Sequence, residues 1–181
     1  MMDRMQSAWR ARRVLLIGHE DGLFRSLALF LGELGARITR MPPGTDAETY
    51  FRAMISGRVS AVIVVQAHQL APGRGPTMQL RVLDLILSEA RETGIPLVML
   101  ACLHDAAPDA AQERAQSILR LYADGVCRGL FGDPVSVQYF RPTPGTDASA
   151  VCAGMLDFGA RFFSGDTELT GVMELDVRKQ A

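Results

Sequence analysis

Short unbroken apolar runs, each followed by a stretch with apolar residues at helical spacing, constrain this chain most. Val14-Leu-Leu-Ile17 is the first run. A run apolar on both faces belongs to a strand covered on both sides, as in parallel sheets. Gly18 to Gly22 breaks it, and Leu23 to Leu34 places Leu23, Leu27, Phe30, Leu31 and Leu34 at helical spacing before Gly35 caps the end. Arg37 to Arg40 predicts a second short strand, stopped by Pro42 and Pro43, and Ala47 to Ile55 a helix. Ala61 to Val65 and Leu97 to Ala101 are further buried strands, with loop at 71–76 and a helix over 78–92 between them. A long helix at 110–130, a strand at 135–140, a turn at 142–145, a helix at 147–162 and a strand at 171–177 complete the pattern. Strands alternating with helices imply parallel βαβ crossovers and a doubly wound sheet.

The chain has 181 residues, 48% of them apolar and 22% charged, which suits one globular domain over 1–181 with a sizeable core. Its net charge of −1 argues against a nucleic-acid or anionic-membrane partner. The one basic cluster, Arg10, Arg12 and Arg13, falls at the end of a lead-in over 1–12 that is expected to be a flexible, solvated tail. Cys102, Cys127 and Cys152 are widely spaced in apolar sequence, which points to a reducing compartment and no disulfide framework. No CxxC or HxxxH spacing suggests a metal, and no apolar run approaches the ~20 residues that span a bilayer. Charges near the N-terminus do not suit a signal peptide, so the expected location is cytoplasmic.

Four separated segments, in order, carry a family resemblance. Ile17-Gly-His-Glu-Asp-Gly-Leu-Phe24 and its helix with a Gly-Ala-Arg exit resemble the TGxxxGxG opening of the short-chain dehydrogenase/reductase family. Ala61-Val-Ile-Val-Val-Gln-Ala-His68 resembles the strand ending in NNAG, and Pro134 to Pro142 the strand before the family's Pro-Gly turn. Leu169-Thr-Gly-Val-Met-Glu-Leu-Asp176 is similar to the closing ITGxxLxVDGG segment. The resemblance implies a Rossmann-like, doubly wound α/β domain, shortened relative to the family. Only about twenty residues separate Arg40 from the strand at Ala61, too few for the usual helix–strand–helix passage.

The same resemblance exposes what is missing. The family's relay uses a Tyr, a Lys four residues on that lowers its pKa, and a Ser that polarises the carbonyl. Counted back without gaps from Pro142, the Tyr position falls on Gln112 and the Lys position on Gln116, and an amide has no useful pKa. Tyr122 lies too far along the helix to substitute simply, and the guanidinium of Arg114 stays protonated. The Ser position holds Ala101 or Cys102, and the helix Asn that many members use is replaced near Gln79. Cys102 with His104 could face one way in extended chain as a nucleophile pair; a buried thiol beside a loop histidine is the simpler reading. His68, in place of the NNAG glycine, reads more simply as a loop residue than as a base.

The cofactor loop departs as well. Gly18 and Gly22 remain, but the third glycine position carries Phe24. Glu20 and Asp21 put carboxylates where phosphates would lie, and each like-charge approach at ~4 Å costs about 1–4 kcal/mol. His19 reads as solvent-facing rather than as a charge that would soften this. No cofactor is therefore expected in this chain. A fold kept without its chemistry implies a subunit that supports a full-length catalytic homologue, in a hetero-oligomer, by expectation a tetramer, with NAD in the partner. Hydroxyacyl-CoA-type dehydrogenases are the implied class, 2-(hydroxybenzyl)succinyl-CoA dehydrogenase with its inactive subunit being one example. Ile118, Tyr122, Val126, Phe158, Phe162 and Met173 are the candidate interface residues, on segments that resemble the family's assembly surfaces. The alternatives are a stand-alone nucleotide- or ligand-sensing regulator, and an enzyme using Cys102, His104 or His68 in unrelated chemistry.

Overall fold

A computed structural model describes residues 2–42, 49, 52–53, 58–65, 97–102, 135–142, 146–166 and 172–176. The chain opens with helix α1 (Met2–Trp9), followed by strand β1 (Arg13–Ile17), helix α2 (Gly22–Glu33) and strand β2 (Arg37–Met41). Strands β3 (Ala61–Val64), β4 (Leu97–Cys102) and β5 (Val135–Arg141) follow, then helix α3 (Ala148–Phe163) and strand β6 (Val172–Asp176). The strands form one sheet in the order β2-β1-β3-β4-β5-β6, and every pairing is parallel. The chain steps outward from β1 to β2, jumps back past β1 to β3, and then runs on to β6. That reversal makes the sheet doubly wound, as the alternating pattern predicts. Among the described residues β2 ends the sheet on its side, and the exposed Arg37, Thr39 and Arg40 suit an edge strand.

Residue parity divides the sheet into two faces. Val14 and Leu16 of β1, Ala61 and Ile63 of β3, Val98, Leu100 and Cys102 of β4, and Phe140 of β5 share one hydrophobic cluster with the helices. The pairings Leu16↔Ile63 and Ile63↔Leu100 run as a single row across that face. Leu15, Ile17, Val62 and Val64, also fully buried, alternate with them along the strands. Helix α2 covers the first face with Phe24, Leu27, Ala28 and Leu31, a stripe at i, i+3, i+4 and i+7. The stripe is turned from the expected one: Phe30 is 37% exposed and Leu29 62% exposed, while Phe24 joins the core.

Helices α2 and α3 end as their glycines require. Gly35, at φ 80, lets its own N–H reach Gly32 O at 3.0 Å and the next N–H, of Ala36, reach Leu31 O at 2.9 Å. Gly165, also at φ 80, does the same for α3 through Phe162 O and Arg161 O. These paired bonds satisfy carbonyls that a helix end otherwise leaves open. Helices α2 and α3 pack on each other over the same sheet face. Yet α2 connects strands stepping toward one edge and α3 connects strands stepping toward the other. The two crossovers therefore have opposite hands, and one departs from the right-handed preference.

The N-terminal lead-in is not the flexible tail that its charges suggest. It is helix α1, and Trp9 at its end is fully buried. The indole Nε1–H donates to Leu156 O at 2.9 Å, and the ring meets Phe163 edge-on with centroids 5.3 Å apart. Gly159 of α3 makes room for it: a Cβ there would collide with the indole's Cζ2 and Cη2. Nor is the basic cluster fully solvated, because the Arg12 guanidinium lies 4.3 Å over the Phe163 ring and its Nε–H donates to Ala8 O at 3.2 Å. The physical reason is the aromatic residue beside the charges: a buried indole orders the segment that carries it. The predicted helices at 78–92 and 110–130, and most of the one at 47–55, lie outside the described residues.

Candidate functional site

In an open α/β sheet the ligand crevice forms outside the carboxyl ends of the strands, where the strand order reverses. Here that point lies between the ends of β1 and β3, and the turn Gly18-His19-Glu20-Asp21 stands over it. The turn is tied to both neighbours. Gly18 N–H donates to Met41 O at 3.2 Å at the end of β2, and Val65 N–H, just past β3, donates to Ile17 O at 2.9 Å. Gly18 is buried, whereas His19 and Glu20 are exposed, as expected of a solvent-facing histidine.

Helix α2 rises from this turn with its N-terminus at the crevice. Its first N–H groups lack helical partners and carry the positive end of the helix dipole, which makes such an end a ready anion site. Asp21 is the N-cap, at φ −86 and ψ −174, and its Oδ1 accepts the Phe24 N–H at 2.9 Å. Its carbonyl accepts the Arg25 N–H at 3.0 Å, and its own N–H donates to His19 O at 2.7 Å. A carboxylate of the chain itself thus occupies the helix end where a phosphate would lie. Beside it, Glu20 Oε1 lies 3.9 Å from the Arg40 guanidinium near the end of β2, both side chains more than half exposed. Arg40 was not singled out by sequence; the signal was a charged residue about twenty positions beyond the glycine turn, where dinucleotide folds read the ribose.

The residues do not fit a dinucleotide as the glycine fingerprint would. A Cβ at Gly22 would meet open space, so nothing within the protein itself demands glycine there. Phe24, at the third glycine position, is 2% exposed and fills the space between helix and sheet rather than the crevice. Like charge and an already bonded N–H meet an incoming pyrophosphate.

Cys102 ends β4 opposite Phe140 in the sheet register. It is 3% exposed and belongs to the hydrophobic cluster that holds Phe140, Met155 and Phe158. That burial agrees with the simpler reading of Cys102, a buried thiol, rather than with an exposed nucleophile. Cys152 on α3 is fully buried too, and its pKa is pushed up to about 12, first by burial and then by the Asp147 carboxylate, against a small lowering by a backbone hydrogen bond. Phe158 and Phe162 are corrected as interface candidates: they are 2% and 8% exposed, with Phe158 edge-on to Phe140 and Phe162 against Phe163. Both belong to the chain's own hydrophobic cluster. Met173 takes the β6 position paired with Gln138. Gln112, Gln116, Ile118, Tyr122, Val126, His68, His104 and Gln79 lie outside the described residues.

A second concavity lies on the outer side of the helix layer. It is a groove of about 260 Å³ between α1, α2 and α3, with Met5, Phe30, Leu34 and Leu156 on its walls and Glu33 at its lining. Among the described residues, no three His, Cys, Asp or Glu side chains stand close enough to hold a metal ion. Among them, too, no helix is long and apolar enough to cross a membrane.

No family model matches the chain, and no curated protein matches its sequence. Solved structures do match its fold. BdcA from E. coli superposes with a TM-score of 0.62 at 17% identity, over 93% of this chain and 100% of that one. A short-chain dehydrogenase/reductase variant from Serratia marcescens gives 0.65 at 15%, over 96% and 100%. The NADH-dependent reductase A1-R′, solved with NAD, gives 0.65 at 12%, over 94% and 97%. The chain thus has the short-chain dehydrogenase/reductase fold, in the shortened Rossmann-like form that its segments imply.

Proposed function

We propose that this chain is a degenerate member of the short-chain dehydrogenase/reductase superfamily that acts as a non-catalytic subunit. Its partner would be a full-length catalytic homologue, joined in a cytoplasmic hetero-oligomer, a tetramer by our reading. That partner supplies NAD, Ser, Tyr and Lys for oxidising a hydroxyacyl-CoA-type alcohol. The observation that carries the reading is Asp21, whose carboxylate caps the helix end where the fold would hold a pyrophosphate. The glutamines at 112 and 116 support it, because neither amide can relay a proton. The segment 110–130, with Ile118, Tyr122 and Val126, is the surface we assign to the partner. Co-expression with an intact dehydrogenase encoded nearby, followed by light scattering and calorimetry, tests it. A mixed oligomer whose NAD sites number only the partner subunits is expected. A lone, stable protein with dehydrogenase activity of its own overturns it.

A second reading, a stand-alone ligand-sensing regulator, is favoured by the groove between α1, α2 and α3, which is apolar enough to take a small ligand. A ligand that raises the melting temperature of the isolated chain, with mixed oligomers absent, would select it.

A further inference from the structure

The carboxylates of the glycine turn engage two different groups around one crevice. Asp21 Oδ1 accepts the Phe24 N–H at the end of α2, and Glu20 stands at 3.9 Å from Arg40 at the end of β2. In a dinucleotide fold those two places receive the pyrophosphate and the adenosine ribose with any phosphate on it. We infer that Glu20 and Asp21 are internal stand-ins for the anionic half of a dinucleotide, and that their charge keeps this crevice closed to one. The crevice is otherwise preserved: Gly18 is buried and bonded to β2, Gly22 faces open space, and Phe24 is packed away beneath the helix. The cap has a geometric role and the charge an electrostatic one, and the two are separable because Asn caps a helix about as well as Asp. The Glu20–Arg40 pair is exposed and at the outer limit of an ion pair, so it holds Arg40 only weakly. Removing Glu20's charge then leaves a guanidinium able to bind a phosphate bidentately.

The inference rests on the crevice alone and not on the existence of a partner subunit, whose absence would leave it intact. The test is calorimetric titration of the full chain with NADP⁺, NAD⁺ and inorganic pyrophosphate, for the native protein, Glu20→Gln and Glu20→Gln/Asp21→Asn. Titration of the native chain is expected to show no binding at millimolar ligand. The double variant, with an unchanged melting temperature, is expected to gain at least about tenfold in affinity, more for NADP⁺ than for NAD⁺. Adding Arg40→Ala should erase the preference for NADP⁺. Micromolar binding of either dinucleotide by the native chain overturns the inference, and so does a folded double variant with no gain. Glu20→Gln, an exposed change, gives a smaller gain in the same direction without touching the cap, and no gain from it overturns the part assigned to Glu20.

Discussion

Replacing Trp9 tests whether the first helix belongs to the fold or merely precedes it. The indole is fully buried, donates to Leu156 O at 2.9 Å and meets Phe163 edge-on. An aromatic side chain of this kind removes about 200 Å² from water, which at ~25 cal/mol per Å² is about 5 kcal/mol as an upper bound. The buried hydrogen bond contributes about 1 kcal/mol more. Relaxation of the cavity returns part of this, so Trp9→Ala is expected to cost about 3–5 kcal/mol, the usual range for such truncations. In a domain of this size that lowers the melting temperature by roughly 6–20 °C. Trp9→Phe keeps the ring stacking and loses the donor, at about 1–2 kcal/mol. Urea unfolding followed by circular dichroism measures both, and because Trp9 is the single tryptophan, native fluorescence reports its burial without ambiguity. A loss below about 1 kcal/mol for Trp9→Ala, or emission typical of an indole in water, would refute the packing argument and restore the solvated tail.

Gly159→Ala should destabilise by about 1–3 kcal/mol although alanine is the better helix former, because its Cβ would collide with the Trp9 ring; in a Trp9→Ala background the same change should become neutral or stabilising, read by a double-mutant cycle. Asp21→Ala is expected to cost about 0.5–2 kcal/mol through loss of the Phe24 cap, while Asp21→Asn stays near native in thermal melts. The Cys152 thiol, raised from 9.0 to about 12, is neutral in the fold where the unfolded chain ionises. Its contribution is therefore complete below pH 9 and is lost as pH rises toward 12. Cys152→Ala should flatten this alkaline slope in denaturant titrations from pH 8 to 11, and an unchanged slope would assign it elsewhere. Thiol reagents at pH 8 should leave native Cys102 and Cys152 unmodified, since both are buried, and labelling of either under native conditions would contradict that burial.

Much of the architecture is legible in local pattern. Val14 to Ile17, Ala61 to Val64 and Leu97 to Cys102 are apolar without alternation, and only a strand covered on both faces uses such a run. Gly35 ends its helix because a left-handed residue there closes two hydrogen bonds, and glycine adopts that conformation without strain. These features depend on the conformation of a few consecutive residues, so the sequence by itself determines them.

What depends on distant partners is not written locally. The charges around Arg10 to Arg13 predict a tail, but whether a tryptophan docks depends on a glycine 150 positions later whose missing side chain makes the space. Phe158 and Phe162 share an apolar arc that would suit an interface equally well, and only the placement of α3 against Phe140 and α1 turns them inward. Phe24 and Phe30 exchange expected roles for the same reason: the direction of the buried stripe is set by where α2 sits on the sheet, not by its spacing. Tertiary structure alone decided that α2 and α3 share a face through crossovers of opposite hand. It also decided that Glu20 stands beside Arg40, because strand order brings together the end of β2 and the turn after β1, and no local periodicity encodes that order.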